Sequence, residues 1–159
     1  MKNLKIWSIA LMLVMAVSAC GEKEPQQDGP VGGGDIAALV NEWVISSYND
    51  AAPEFVVYID FNEDGTFAMY QQVYSLNYVC YTGSYNVSDD ILTGTYADGT
   101  KWASAYKVSV STDGKTLMMS SQEDVEDMSV VSVYSQTVIP EDVKLEASET
   151  RALEVVPFL

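Results

Sequence analysis

The chain has 159 residues, room for one domain of ordinary size, because a single core becomes self-sufficient at about 100 to 150 residues. Its 23 acidic and eight basic side chains give a formal charge of −15, which repels phosphate backbones and anionic headgroups and so excludes nucleic acid and direct electrostatic membrane binding. It contains no histidine, which removes the commonest general base and the commonest metal ligand together.

The chain starts with Met1-Lys2-Asn3-Leu4-Lys5, a short positive segment, and continues as the apolar run Ile6 to Val17, too short for a permanent membrane-crossing helix. Residues 1–19 read as a signal peptide. Val17-Ser18-Ala19-Cys20 closes the run and resembles the lipobox, where bacterial lipoprotein precursors are acylated on the cysteine and cut just before it. The resemblance implies a lipid-modified Cys20, carrying acyl chains such as palmitate, and a place in the bacterial cell envelope, anchored at the outer membrane on its periplasmic or surface face. Each buried CH₂ of such a lipid contributes about 0.8 kcal/mol, and stable anchoring needs more than one chain. Loss of Lys2 and Lys5 leaves six of the eight basic side chains, so the formal charge moves from −15 to −17. With Cys20 acylated, Cys80 has no partner for a disulfide and reads as a buried, inert thiol in Tyr78-Val79-Cys80-Tyr81.

Residues 20–34 have almost nothing to bury and read as a lipidated, flexible tether with a root-mean-square reach of roughly 20 Å. The domain is expected over residues 35–159. Asp35 is placed to cap a helical turn at Ile36 to Val40. From there the period is two. Trp43 to Tyr48 is the first strand, and Phe55, Val57, Ile59 and Phe61 alternate with Val56, Tyr58 and Asp60 in the second. Asn62-Glu63-Asp64-Gly65 turns the chain back into Thr66 to Tyr74. Strands at Tyr78 to Val87 and Ile91 to Tyr96 flank Ser88-Asp89-Asp90. Trp102 to Val110 follows the turn Ala97-Asp98-Gly99-Thr100, and Thr116 to Gln122 follows Thr112-Asp113-Gly114-Lys115. After the acidic loop Glu123 to Asp127, Met128 to Ile139 completes about eight strands. A tail follows, with a helical turn at Glu141 to Ser148 and an apolar end, Leu153 to Leu159, expected to dock on the body.

Eight consecutive antiparallel strands hide one face and remove their edges by closing, so the expected fold is all-β, an eight-stranded antiparallel up-and-down barrel with a short N-terminal helical turn. A two-sheet sandwich has the same periodicity. The chain also resembles the lipocalin-like domains of bacterial lipoproteins. The resemblance rests on Leu39 with Trp43, Ile59-Asp60-Phe61-Asn62-Glu63-Asp64-Gly65-Thr66-Phe67, Gly83-Ser84-Tyr85-Asn86-Val87 and Asp113-Gly114-Lys115-Thr116-Leu117. It covers Asp35 to about Ile139, and Asn41-Glu42 stands where a lipocalin usually has Gly before the first-strand Trp. These motifs place core aromatics and turn glycines, so they speak for the fold more than for a ligand.

An eight-stranded barrel is either filled or open to one small ligand. The ligand-binding candidates of inward parity are Trp43, Met69, Gln71, Tyr85, Tyr106 and Ser132, an apolar wall with a few polar handles. The bland alternative is an ordinary core with satisfied hydroxyls. Asp60 to Gly65 has the opening of a calcium loop, but Gln71 at its twelfth position offers no bidentate carboxylate, and Glu123, Asp124, Glu126 and Asp127 lack fixed ligand spacing. No metal, cofactor or catalytic residue is expected: there is no Gly-x-Ser-x-Gly elbow. Thr82-Gly83-Ser84-Tyr85 and Thr93-Gly94-Thr95-Tyr96 echo each other and read as matching strand segments bent at their glycines. The expected function is a membrane-anchored lipocalin-like lipoprotein that binds a small, partly apolar ligand without catalysis. The alternative is a structural or accessory lipoprotein with a filled barrel and a protein partner in a cell-envelope complex.

Overall fold

A computed structural model of the chain describes residues 36–122, 129–149 and 156–159. The signal peptide, Cys20, the tether, the Asp35 cap, the acidic loop Glu123 to Asp127 and Leu153 to Val155 lie outside the described residues. The elements are α1 (Ile36–Leu39), β1 (Glu42–Tyr48), β2 (Val56–Phe61), β3 (Thr66–Gln72), β4 (Val79–Ser88), β5 (Ile91–Tyr96), β6 (Tyr106–Val110), β7 (Thr116–Ser121), β8 (Val131–Gln136) and α2 (Glu141–Glu149). Each strand pairs antiparallel with the next, and β8 closes on β1, so the sheet is the expected up-and-down barrel rather than a two-sheet sandwich.

Alternation explains the closure. On β2, Val57, Ile59 and Phe61 are buried and stand opposite Gln71, Met69 and Phe67 of β3, so the hairpin puts six side chains on the interior face. β6 contributes Tyr106, Val108 and Val110 to that face, and β7 contributes Leu117, Met119 and Ser121.

Three hairpins share one chemistry. In Asp64-Gly65-Thr66, Asp98-Gly99-Thr100 and Asp113-Gly114-Lys115, the Asp carboxylate accepts the backbone N–H two residues on, at 3.0, 2.8 and 3.1 Å. The intervening glycines have φ of 78°, 89° and 71°, a left-handed conformation open to Gly without steric cost. The Ser88–Ile91 hairpin instead uses Asp89 and Asp90, at φ 52° and 65°, the two left-handed positions of a primed turn.

The strand bounds differ from the sequence reading at two informative places. β3 stops at Gln72, and Tyr74 has a φ of 54°, which ends extended pairing. β6 begins at Tyr106 rather than at Trp102. Residues 102–105 leave the ladder, and Trp102 turns into the barrel, where it is buried.

One end of the barrel is capped and the other is ringed by longer loops. At the capped end Leu39 of α1 is buried, and Trp43 Nε1 donates to its carbonyl at 2.9 Å. Glu42, in the place of the usual lipocalin glycine, reaches outward. Its Oε2 accepts the Ile139 N–H at 2.7 Å and its Oε1 accepts Lys144 Nζ at 2.8 Å, which fastens the start of α2 to β1. α2 then buries Val143 and Ala147 on the outside of β3 and β4, and Glu146 accepts the Tyr78 N–H at 3.2 Å beside the loop-ringed end. Residues 156–159 arrive at that same end.

Candidate ligand site at the open end

All six sequence-derived candidates face inward and are buried. They do not form one cluster. Trp43 and Tyr85 belong to the capped end, and their polar atoms serve the barrel itself: Trp43 bonds Leu39, and the Tyr85 hydroxyl donates to the Asn62 carbonyl at 2.8 Å while its ring packs edge-on to Phe61. Met69 lies midway along β3, opposite Ile59 and Tyr81. Gln71, Tyr106 and Ser132 stand at the open end, on the last turn of β3 and the starts of β6 and β8.

Gln71 is fully buried, and a buried primary amide is costly unless both its ends are paired. The chain's own tail pairs them. Gln71 Nε2 donates to the Val156 carbonyl at 3.0 Å, and the Phe158 N–H donates to Gln71 Oε1 at 2.7 Å. The Tyr96 hydroxyl donates to the Leu159 main-chain oxygen at 2.6 Å. Burial, with the neighbouring Tyr106, pushes the Tyr96 phenol well above its ordinary range, so it stays a donor throughout physiological pH. The Phe158 ring packs against Phe55 and Tyr48, with centroids 5.3 and 5.7 Å away, and Leu159 is only 2% exposed.

Beside this tail, a cleft of about 950 Å³ opens between the β1–β2 and β3–β4 connections. Tyr48, Pro53, Phe55, Val73 and Tyr74 give it an apolar wall, with Glu54 and Gln72 among its polar residues. None of the six candidates lines it. Of its lining, Phe55 shares the parity of Val57, Ile59 and Phe61, whereas Pro53, Glu54 and Ser75 sit in the connections, which strand parity does not reach.

Trp102 is the other residue that strand periodicity misplaced. Its indole lies across Gly94, where a Cβ would collide with the ring, and packs edge-on to Phe67 and Tyr106 at 5.1 and 6.1 Å. A Cβ on Gly83 would meet the Thr95 carbonyl and the Phe67 ring. The echoed Thr-Gly-x-Tyr segments therefore clear interior space for aromatic rings; that repeat was the available signal. Trp102 Nε1 and the Tyr134 hydroxyl are buried with no hydrogen-bond partner among the described residues; the Ser132 side chain neighbours the latter without bonding geometry. A buried polar atom left unpaired costs about 1–3 kcal/mol, so these two atoms mark where a bound molecule's polar group would be rewarded.

Against known families, residues 39–133 match the lipocalin-like domain model. Among curated proteins there is no significant match.

Proposed function

The chain belongs to the lipocalin-like domain family, and from that we propose that it binds a small, partly apolar molecule at the open end of its barrel without chemical change, held to a membrane by lipid on Cys20. The observation that carries the reading is the aromatic-walled cleft of about 950 Å³, within the size range of small-molecule sites and adjoining a barrel half that holds Gln71 and the unpartnered Trp102 indole. A mostly apolar wall supplies affinity by burial, and a few fixed polar groups orient the ligand. The absence of histidine, the commonest general base, from the sequence favours binding over catalysis.

The anchor follows from the sequence. A positive start, a short apolar run and small residues before Cys20 fall in the order that lipoprotein processing requires. On this reading residues 20–34 tether the domain close to the envelope surface, and the acidic domain is held there by the lipid alone.

Native mass spectrometry of the lipidated chain from its own host tests both parts. A retained molecule of a few hundred daltons, lost on unfolding, is the expected result, together with a mass that begins at an acylated Cys20. A ligand-free mass, with no fluorescence gain from the neutral probe N-phenyl-1-naphthylamine, overturns the binding reading. A Cys20→Ala chain that stays in the membrane fraction overturns the anchor.

One observation favours an accessory role in an envelope complex. Tyr74 and Leu76, both fully exposed, stand together on the β3–β4 connection at the rim of the open end. Apolar side chains displayed this way suit a protein partner. A photo-crosslinker at position 76 that captures one discrete envelope protein would support that role, and crosslinking to nothing but lipid would end it.

A further inference from the structure

We propose that residues 156–159 act as a built-in ligand of the open end, so that this site takes an extended, apolar peptide segment and an outside ligand must displace the chain's own residues there. The inference deepens the binding function proposed above and rests on it.

The grip on the tail is specific to peptide chemistry. Gln71 offers one donor and one acceptor from a rigid amide plane, and it uses both on main-chain atoms two residues apart, the Val156 carbonyl and the Phe158 N–H. The residue between them is Pro157, which has no N–H to leave unpaired. The clasp therefore reads backbone, much as a neighbouring strand would, and leaves side-chain choice to the pockets. Those pockets are aromatic for Phe158, between Tyr48 and Phe55, and closed for Leu159, whose main-chain oxygen takes the Tyr96 hydroxyl. A plain hydrocarbon chain in the same place would strand the Gln71 amide and the Tyr96 hydroxyl, two buried groups with no other partner offered by a ligand without donors or acceptors. An extended peptide segment satisfies both.

Because residues 156–159 belong to the same chain, they compete at a high effective concentration. An outside peptide sees only the fraction of molecules whose tail is out. Its apparent affinity is lowered by that fraction, and weakening the tail restores it.

The test uses the full mature chain and three probes: the peptide Glu-Val-Val-Pro-Phe-Leu, the same six residues in scrambled order, and N-phenyl-1-naphthylamine. Phe158→Asp expels the tail's ring from between Tyr48 and Phe55. It should bind the peptide at least about tenfold more tightly than the unaltered chain does, in line with the population argument, and prefer it over the scrambled order. Adding Gln71→Leu to Phe158→Asp should abolish the gain. Equal peptide binding by Phe158→Asp and the unaltered chain, or none by either, overturns the inference; naphthylamine binding by Phe158→Asp would then leave the small-molecule reading standing, and its absence would remove that as well. Should Phe158→Asp fail to fold, the unaltered chain titrated with excess peptide decides by NMR. The Phe158 amide signal should leave its hydrogen-bonded position, and a signal that stays put under saturating peptide overturns the proposal.

Discussion

Gly94→Ala tests the packing that shapes the open half of the barrel. The added Cβ would fall inside contact distance of three atoms of the Trp102 ring system. The indole has little room to retreat, since Phe67 and Tyr106 hold its edges at 5.1 and 6.1 Å. Overpacking of this kind costs about 1–3 kcal/mol, and a rigid ring on both sides places the expected loss near the upper end, about 3 kcal/mol. For a domain of this size that is a fall in Tm of roughly 10 °C. Trp102→Ala alone should cost about 3–5 kcal/mol through the cavity it leaves. In the Trp102→Ala background, however, Gly94→Ala should become neutral or stabilise by about 0.5 kcal/mol, because alanine restricts the unfolded chain. The coupling energy from urea titrations of the four proteins should therefore be about 3–3.5 kcal/mol. Gly83 supplies the control. Its Cβ would meet the main-chain oxygen of Thr95 as well as the Phe67 ring, so Gly83→Ala should stay destabilising even when Phe67→Ala removes the ring. Costs at Gly94 that add to those at Trp102 within about 0.5 kcal/mol would refute the claim that the glycine exists to admit the indole.

Asp64, Asp98 and Asp113 each hold their carboxyl below the usual range, through hydrogen bonds from Thr66, from Thr100, and from Ser111 and Lys115 respectively. A depressed folded-state pKa contributes stability that is present above the unfolded value, about pH 4, and drains as pH falls through the folded one. The triple Asp→Asn chain should thus be less stable than the unaltered chain at neutral pH and converge on it as acid is added; a gap that persists at low pH would contradict the assignment. Glu42→Gln weakens the clamp on Lys144 while these groups remain 22% and 30% exposed, so its cost should stay below about 1 kcal/mol, with faster tryptic cleavage after Lys144 as the sensitive readout. Unchanged cleavage would show that α2 is held by Val143 and Ala147 alone. Burial pushes the Cys80 thiol up, partly offset by a hydrogen bond with the Tyr70 side chain, so alkylation at neutral pH should be slower than for free cysteine; a rate equal to it would mean the face under α2 opens readily.

The barrel could be read from the sequence because its information is periodic. β2 and β3 alternate without interruption from Val56 to Gln72, and each Asp-Gly pair fixes where a ribbon reverses. The sandwich alternative was undecidable at that level, because pairing of β8 with β1 joins residues about 90 apart and leaves no local trace. The open end was illegible for a different reason. Trp102 reads as a strand residue although it precedes β6, and its true place depends on Gly94 in another strand. Gln71 has the correct parity, but its role depends on a segment 85 residues further along the chain. Lipidation at Cys20 remains a reading of the sequence, and the metal reading weighed for Asp60 to Gly65 meets an Asp64 carboxylate already committed to Thr66.

Burial alone does not separate the two halves of this barrel, since Trp43 and Gln71 are each fully buried. The partners of their polar atoms do. At the capped end Trp43 and Tyr85 bond main-chain atoms next to the strands they stand on or pack against, so those bonds form with the barrel itself and can be broken only by unfolding it. At the open end Gln71 and Tyr96 bond a separate segment that adds nothing to the ladder, although its Leu159 belongs to the buried core and its Phe158 packs against that core. The polar bonds of the open end thus depend on a segment outside the barrel wall, and those of the capped end on the wall and its own cap. Under the displacement proposed above, the inward residues fit to recognise a peptide from outside are those bonded to that segment, which selects Gln71 and Tyr96 and sets Trp43 and Tyr85 aside.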